Sequence, residues 1–384
     1  MGLLPQIASD LEPTLWASSP DQAISRAGWV ITAYALGVVV GAPTIAAFAA
    51  RFERKAVLIM LGVAFTLGTV ASALSPSFEV AVAFRFLSGL PHGAYFGIAA
   101  LVAARLMGPT ARGRAVAFVL AGLTVANVVG VPAITYVGQH ASWRVAYLLV
   151  ATIFAAATAA IGLLVPRGAA DAHATMRREL RAFARPAVWF ALATGALGFG
   201  GFFAVYSYVA PLTTEIAGAR EALVPIALVT LGVGMTIGNM IGGRMADRGA
   251  MRAVFQLFGV FAASLVILAL LAHTLPGMLL GVLLVGTSAA AISPAIQTRL
   301  MDVAGDSQTM AAAVNHSSLN LGNSLGAFLG GAAIAAGWGY LAPTWIGLAL
   351  CVPGVLFALA GWLVTRNRPD AVARHAEPDP LGAV

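Results

Sequence analysis

Long apolar stretches alternate with short polar ones along the whole chain, and eleven of the apolar stretches are long enough to matter individually. They cover residues 26–50, 56–74, 78–106, 113–137, 143–165, 187–213, 222–245, 253–273, 276–300, 309–336 and 340–365. Each can cross a hydrocarbon core of about 30 Å at about 1.5 Å per helical residue. None shows the strict alternation of a β-strand, and lipid cannot satisfy an open backbone, so the pattern predicts membrane-spanning helices and not a barrel.

Composition agrees: 60% of the 384 residues are hydrophobic and 10% are charged, which excludes an ordinary water-soluble domain. Charge then sets an orientation. Following the chain through the predicted spans, 18 of the 22 Lys and Arg fall in connections on one side, three (Arg26, Arg144 and Arg220) fall on the other, and Arg85 alone falls within a span. Positively charged loops stay cytoplasmic, so the carboxyl end is expected inside a bacterial inner membrane. The formal charge of +7 then faces anionic lipid, and a nucleic-acid partner is not expected. A ratio of 21 Arg to one Lys fits a GC-rich bacterial genome. Cys351 is the single cysteine, so no intramolecular disulfide and no cysteine metal site is expected.

At the amino end, MGLLPQIA reads as the last two turns of a membrane helix, followed by the acidic loop SDLEPTLWASSPDQ; the expectation is that most of a first helix is missing from the chain as given. The longest interior polar stretch, 166–186, divides the spans into an N-terminal bundle (1–165) and a C-terminal bundle (187–366), with a tail at 367–384. The two bundles repeat one another. At a spacing of 197 residues, Gly37, Gly41, Arg51 and Lys55 fall on Gly234, Gly238, Arg248 and Arg252; at 196, Asn127 and Gly130 fall on Asn323 and Gly326. Paired halves place a transporter's binding site between them, near the midplane.

Several stretches carry a resemblance: GLLPQIASDL from Gly2, RFLSGLPHGAYFG from Arg85, GLTVANVVGVP from Gly122, the Trp143–Arg144 pair, and GNMIGGRMADR from Gly238. Over most of its length the chain resembles the major facilitator superfamily, in the branch of drug/proton antiporters that includes chloramphenicol-resistance, arabinose-efflux and purine-nucleoside-efflux proteins. The resemblance implies a fold of two pseudo-symmetric six-helix bundles that works as a monomer, without a cofactor and not as an enzyme. The family's loop motif, Gly-x-Leu-Ala-Asp-Arg-x-Gly-Arg-Arg, is followed closely by Gly243, Ala246, Asp247, Arg248 and Arg252, and loosely in the first half, where Ala50 stands at the acid position beside Arg51, Arg54 and Lys55. Asp247 is expected to latch a cytoplasmic helix end in one conformation and release it in the other. Arg54, Lys55 and Arg252 also fit simple anchoring to the membrane face.

The chemistry concentrates at Arg85. With helical spacing, Arg85, Gly89, His92 and Phe96 share one face, and a charge at membrane depth costs about 3 kcal/mol or more unless it meets protein or water. That face should therefore point inward. The resemblance implies that Arg85 is the fourth-helix arginine associated with proton coupling; His92 fits a proton relay, a hydrogen-bonding group for substrate, or a neutral structural residue beside Pro91. All fifteen Asp and Glu lie in loops or at helix ends. Proton coupling thus uses His92 or His316, or a carboxylate of the missing first helix, as the family pattern favours, or does not occur. His316, Asn320 and Asn323 form a polar stripe, Asn127 is its first-half counterpart, Phe199, Phe203 and Tyr206 form an aromatic stripe, and Tyr34 adds a hydroxyl. Amides and ring edges suit a small neutral or amphipathic solute. Efflux of a drug, sugar or nucleoside against protons is the function expected. Uptake or facilitated diffusion on the same fold is the alternative, and a membrane sensor or enzyme fits least.

Overall fold

The computed structural model describes residues 2–49, 52–107, 118–119, 122–123, 125–167, 184–304 and 308–366. Arg51, most of the expected linker, the tail from 367 and part of the 113–137 span lie outside them. Three short helices open the chain: α1 (Leu4–Leu11), α2 (Pro13–Ser18) and α3 (Pro20–Ala27), each with a proline in its first turn, where the missing N–H costs nothing. The first half continues with α4 (Trp29–Ala49), α5 (Arg54–Ala73), α6 (Phe78–Met107), α7 (Val131–His140) and α8 (Trp143–Leu164). A π-turn, Ala126–Gly130, leads into α7; it lies immediately before Pro132, whose ring cannot fit a regular helical turn. The second half holds α9 (Pro186–Ser207), α10 (Val224–Asp247), α11 (Ala250–Leu271), α12 (Leu275–Ala304), α13 (Gln308–Ala335) and α14 (Ala342–Arg366).

The long helices follow the apolar stretches closely, as with α6 against 78–106 and α13 against 309–336. Eight helices are long and apolar enough to cross a membrane among the described residues. Large apolar side chains such as Leu67, Leu163 and Val352 stand on the outside of the bundle, which in lipid is a solvated surface and not an exposed patch. The 187–213 span is broken after α9: the chain turns at Tyr208 and re-forms as a π-turn, Leu212–Ile216.

The repeat read from the sequence is a repeat of contacts. In the first half α4 packs on α6, and in the second α10 packs on α12. A methyl group on Gly37 would collide with the carbonyl of Phe86, and one on Gly41 with that of Leu90; 197 residues on, Gly234 and Gly238 stand in the same relation to the carbonyls of Leu283 and Thr287. Lipid tails are as apolar as leucine, so helices in a bilayer gain by close backbone approach rather than by leaving water, and glycine permits it.

The halves meet along two seams, α4 against α13 and α10 against α7 with its π-turn. At the end where α1–α3 lie, an apolar cluster spans both halves: Leu4, Ile7, Ile24 and Trp143 from the first, Tyr208, Ala327 and Ile334 from the second. Tyr208 donates to the Ala327 carbonyl at 2.7 Å and packs so tightly on Gly28 that no side chain fits there. Among the described residues four side-chain hydrogen bonds also cross between the halves at this end. Tyr340 donates to Asp21 at 2.6 Å, Ser25 to the Gly331 carbonyl at 2.6 Å, and Gln139 to the Glu221 carbonyl at 3.3 Å, while Gln6 donates to the Glu221 carboxylate.

Candidate functional site

The site is built on α6, which Pro91 interrupts without ending. Arg85 points at protein. Its guanidinium carbon lies 3.9 Å from the centre of the Tyr34 ring on α4 and 5.2 Å from that of Tyr147 on α8, and its Nε is 3.5 Å from the Val30 carbonyl. Two ring faces and a carbonyl thus hold the charge where a carboxylate would be the ordinary partner.

Two turns beyond, the Tyr34 hydroxyl is hydrogen-bonded to Nδ1 of His92. The imidazole is boxed by three rings, with centroids 5.6 Å from Tyr34, 5.4 Å from Phe65 on α5 and 5.2 Å from Phe96 on its own helix. Phe96 then stacks on His316 of α13, at 5.2 Å and an interplanar angle of 23°. The result is a continuous file, Arg85–Tyr34–His92–Phe96–His316, that begins in the first half and ends in the second.

The other expected site residues fall in several places. Asn320 donates to the His316 carbonyl at 2.9 Å. Asn323 is buried, and its Oδ1 has no hydrogen-bond partner among the described residues. Asn127 sits in the π-turn, its backbone carbonyl against Gly232 of α10. Phe199 and Tyr206 belong to the apolar core of the second half, with Phe203 packed against it; their rings interlock with Phe202. Asp247 closes α10 and Arg248 and Arg252 follow at the turn into α11, all three exposed; Asp247 forms no ion pair among the described residues. Arg54 and Lys55 are half-buried in the first turn of α5. No group of His, Cys, Asp and Glu among the described residues is arranged to hold a metal.

Sequence reasoning missed Tyr147, the second ring under Arg85, and Phe65, which closes the box. Both are ordinary aromatic residues in apolar stretches and only the packing of α5 and α8 on α6 reveals them. It also missed what the three acids of the first loop do. Asp10 accepts from Trp143 Nε1 at 2.8 Å and pairs with Arg144 at 3.0 Å, Glu12 pairs with Arg26 at 2.8 Å, and Asp21 receives Tyr340. Arg26 also reaches Glu79 at 2.7 Å. An acidic loop facing lone arginines in otherwise uncharged connections was the available signal.

The architecture has known counterparts. The sequence profile of the Major Facilitator Superfamily matches residues 1–313 and, overlapping, 214–383. The chain belongs to the major facilitator superfamily. It is 35% identical to the inner membrane transport protein YdhP of Escherichia coli K12 over 372 residues, covering 97% of this chain and 92% of that one. It is 34% identical to the putative transporter AraJ of the same organism, over 83% of this chain and 81% of that one. With the chloramphenicol resistance protein of Streptomyces lividans the identity is 31%, over 93% and 90%. Among solved structures, a bacterial homologue of the human lysosomal transporter Spinster superposes with a TM-score of 0.68 at 15% identity, covering 95% of this chain and 94% of that one. As a major facilitator the chain is a multi-pass membrane transporter of small molecules.

Proposed function

We propose that the protein exports a small organic solute of the drug, sugar or nucleoside class in exchange for protons, as a monomer in a bacterial inner membrane with its carboxyl end in the cytoplasm. The observation that carries the reading is the guanidinium of Arg85, which forms no ion pair among the described residues and is seated on Tyr34 within the span and linked through that ring to His92. A fixed positive charge with no acid of its own alters how readily neighbouring groups accept a proton, which is what a coupled carrier needs from its coupling residues. The printed names of relatives support export: besides the Streptomyces protein, a chloramphenicol efflux pump of Mycobacterium tuberculosis is 28% identical over 79% of this chain and 76% of that one.

In this reading the two halves rock about the seams, and the cluster and hydrogen bonds at the α1–α3 end close the outer face. His316, Asn320, Asn323 and Asn127 offer the solute polar contacts along the seams, the free Oδ1 of Asn323 among them, with Tyr34, Phe199, Phe203 and Tyr206 supplying rings. Arg51, Arg54, Lys55, Asp247, Arg248 and Arg252 form the inner-face gate. Alternating access of this kind requires only that solute and proton bind the two conformations unequally.

The test is solute movement in everted membrane vesicles containing the full chain, with and without an imposed pH gradient, across a panel of antibiotics, sugars and nucleosides. Accumulation of at least one solute that collapses when the gradient is discharged supports proton-driven export. Movement that ignores the gradient for every solute would sink the coupling, and movement only in the opposite direction would sink export.

A further inference from the structure

The file of rings ends on a second histidine, and that histidine belongs to the other half of the molecule. Phe96 lies between His92 and His316 at 5.2 Å from each, so one phenyl ring touches two imidazoles whose helices, α6 and α13, must part when the halves rock. We infer that His92 and His316 together form the seat of the coupling proton and that a second proton on this pair separates α6 from α13. The inference rests on the exporter reading and moves His316 from solute contact to coupling.

Three features carry it. First, His92 is enclosed by rings: those of Tyr34, Phe65 and Phe96 surround it at 5.2–5.6 Å, and contact with aromatic rings offsets part of what burial and the nearby Arg85 cost a cation there. Second, its Nδ1 is already in a hydrogen bond with the Tyr34 hydroxyl. The hydroxyl can donate to the neutral ring; on protonation Nδ1 becomes the donor and the phenol oxygen accepts, so the bond survives with its direction reversed. Third, the surroundings make one proton acceptable and two costly. The titratable and charged groups around the pair are Tyr34 from α4, which meets His92, Arg85 from α6, seated on the other side of the Tyr34 ring and also against Tyr147 of α8, and Tyr95 from α6, edge-on to Phe96 at 6.5 Å, while α5 contributes only Phe65. No Asp or Glu among the described residues is near them to neutralise a second charge. With both imidazoles protonated, two like charges oppose across Phe96 in a low-dielectric setting, and Arg85 adds a third. The contact between halves is the part free to give way.

The experiment measures separation directly. Spin labels on Met107→Cys, at the far end of α6, and Leu363→Cys, at the same end of α14, in a Cys351→Ala background, report the distance between halves in liposomes at pH 8.5 and pH 5. The expected result is a longer distance population at pH 5 in the otherwise unaltered protein, lost in His92→Gln and in His316→Gln. His316→Phe keeps the stack on Phe96 without a titrating group, so it guards against misfolding and is expected to lose the shift as well. A pH-dependent shift that persists in any of the three, or is absent from the parent, overturns the inference. Vesicle transport is scored in parallel. Gradient-driven export with an unchanged distance response in His316→Phe defeats the histidine pair but leaves the exporter standing, whereas no export of any panel solute by the parent defeats the exporter reading itself.

Discussion

The guanidinium of Arg85 rests on the face of Tyr34 at 3.9 Å, with the Tyr34 hydroxyl turned away toward His92. One side chain thus does two separable things. Tyr34→Leu removes the ring and should lower folding stability by about 2 kcal/mol, the value of a desolvated cation–ring contact, or roughly 30-fold in the equilibrium. Tyr34→Phe should unfold near the parent's temperature, yet lose proton coupling with the hydroxyl. Thermal unfolding in detergent separates them, and a Tyr34→Leu protein as stable as Tyr34→Phe would show that the ring does not seat the charge.

The repeat of glycine contacts makes a paired prediction. Gly37→Ala and Gly234→Ala each force a Cβ against a carbonyl of the facing helix, and both should cost about 1–3 kcal/mol of overpacking. Gly97→Ala meets nothing and should change stability by less than about 0.5 kcal/mol. If the two ridge substitutions are tolerated like Gly97→Ala, the close approach of these helices is wrong.

Tyr340 and Asp21 join the two halves at the α1–α3 end, the seal of the proposed cycle. Burial, and then the hydrogen bond to Asp21, raise the Tyr340 phenol above its ordinary value. The sign follows: the protonated phenol is the form that binds, so its contribution is complete below about pH 10, where a free tyrosine titrates, and fades only as pH climbs through the raised value. In a Cys351→Ala background, Ile334→Cys should therefore be labelled at the same rate relative to a free thiol at pH 7 and at pH 10. Tyr340→Phe should speed labelling about tenfold, as expected for losing a bond to a charged group worth about 1.5 kcal/mol. Equal rates in parent and variant would remove this bond from the seal.

Acid should loosen the same end by another route. Glu79 pairs with Arg26 at 2.7 Å. The pair needs the ionised carboxylate, so what it contributes is present at neutral pH and is lost as acid protonates the group. Between pH 7 and pH 3 the unfolding temperature of Glu79→Gln should fall less than that of the parent. An equal fall would mean that Arg26 gains nothing from Glu79.

The spans were legible because a bilayer imposes a length on apolar runs, and 78–106 or 309–336 needed nothing else. The repeat was legible because glycine is costly to keep in a helix unless a neighbouring backbone lies against it, so Gly37 and Gly234 marked one contact twice. Arg85 and His92 stood out as polar groups that lipid would reject. Phe96 was legible with them as a residue of the same helical face, but Tyr147 and Phe65 were not, since they are aromatic residues among many and their role depends on which helices become neighbours. The stripe Phe199–Phe203–Tyr206 shows the converse. Its spacing was visible, but not that Phe202, between them in the chain, would lock the three rings together in the core of the second half.

The correspondence between Gly37 and Gly234 has one more consequence. The spacing that maps their backbones also maps Tyr34, Arg85 and His92 onto Leu231, Val282 and Ala289, all fully enclosed in apolar surroundings. The duplicated frame thus has its skeleton in both copies and this trio of polar groups in one. Under the proposed exchange, a proton gradient would be felt at the joint between two unlike copies, by His92 on one side and His316 on the other.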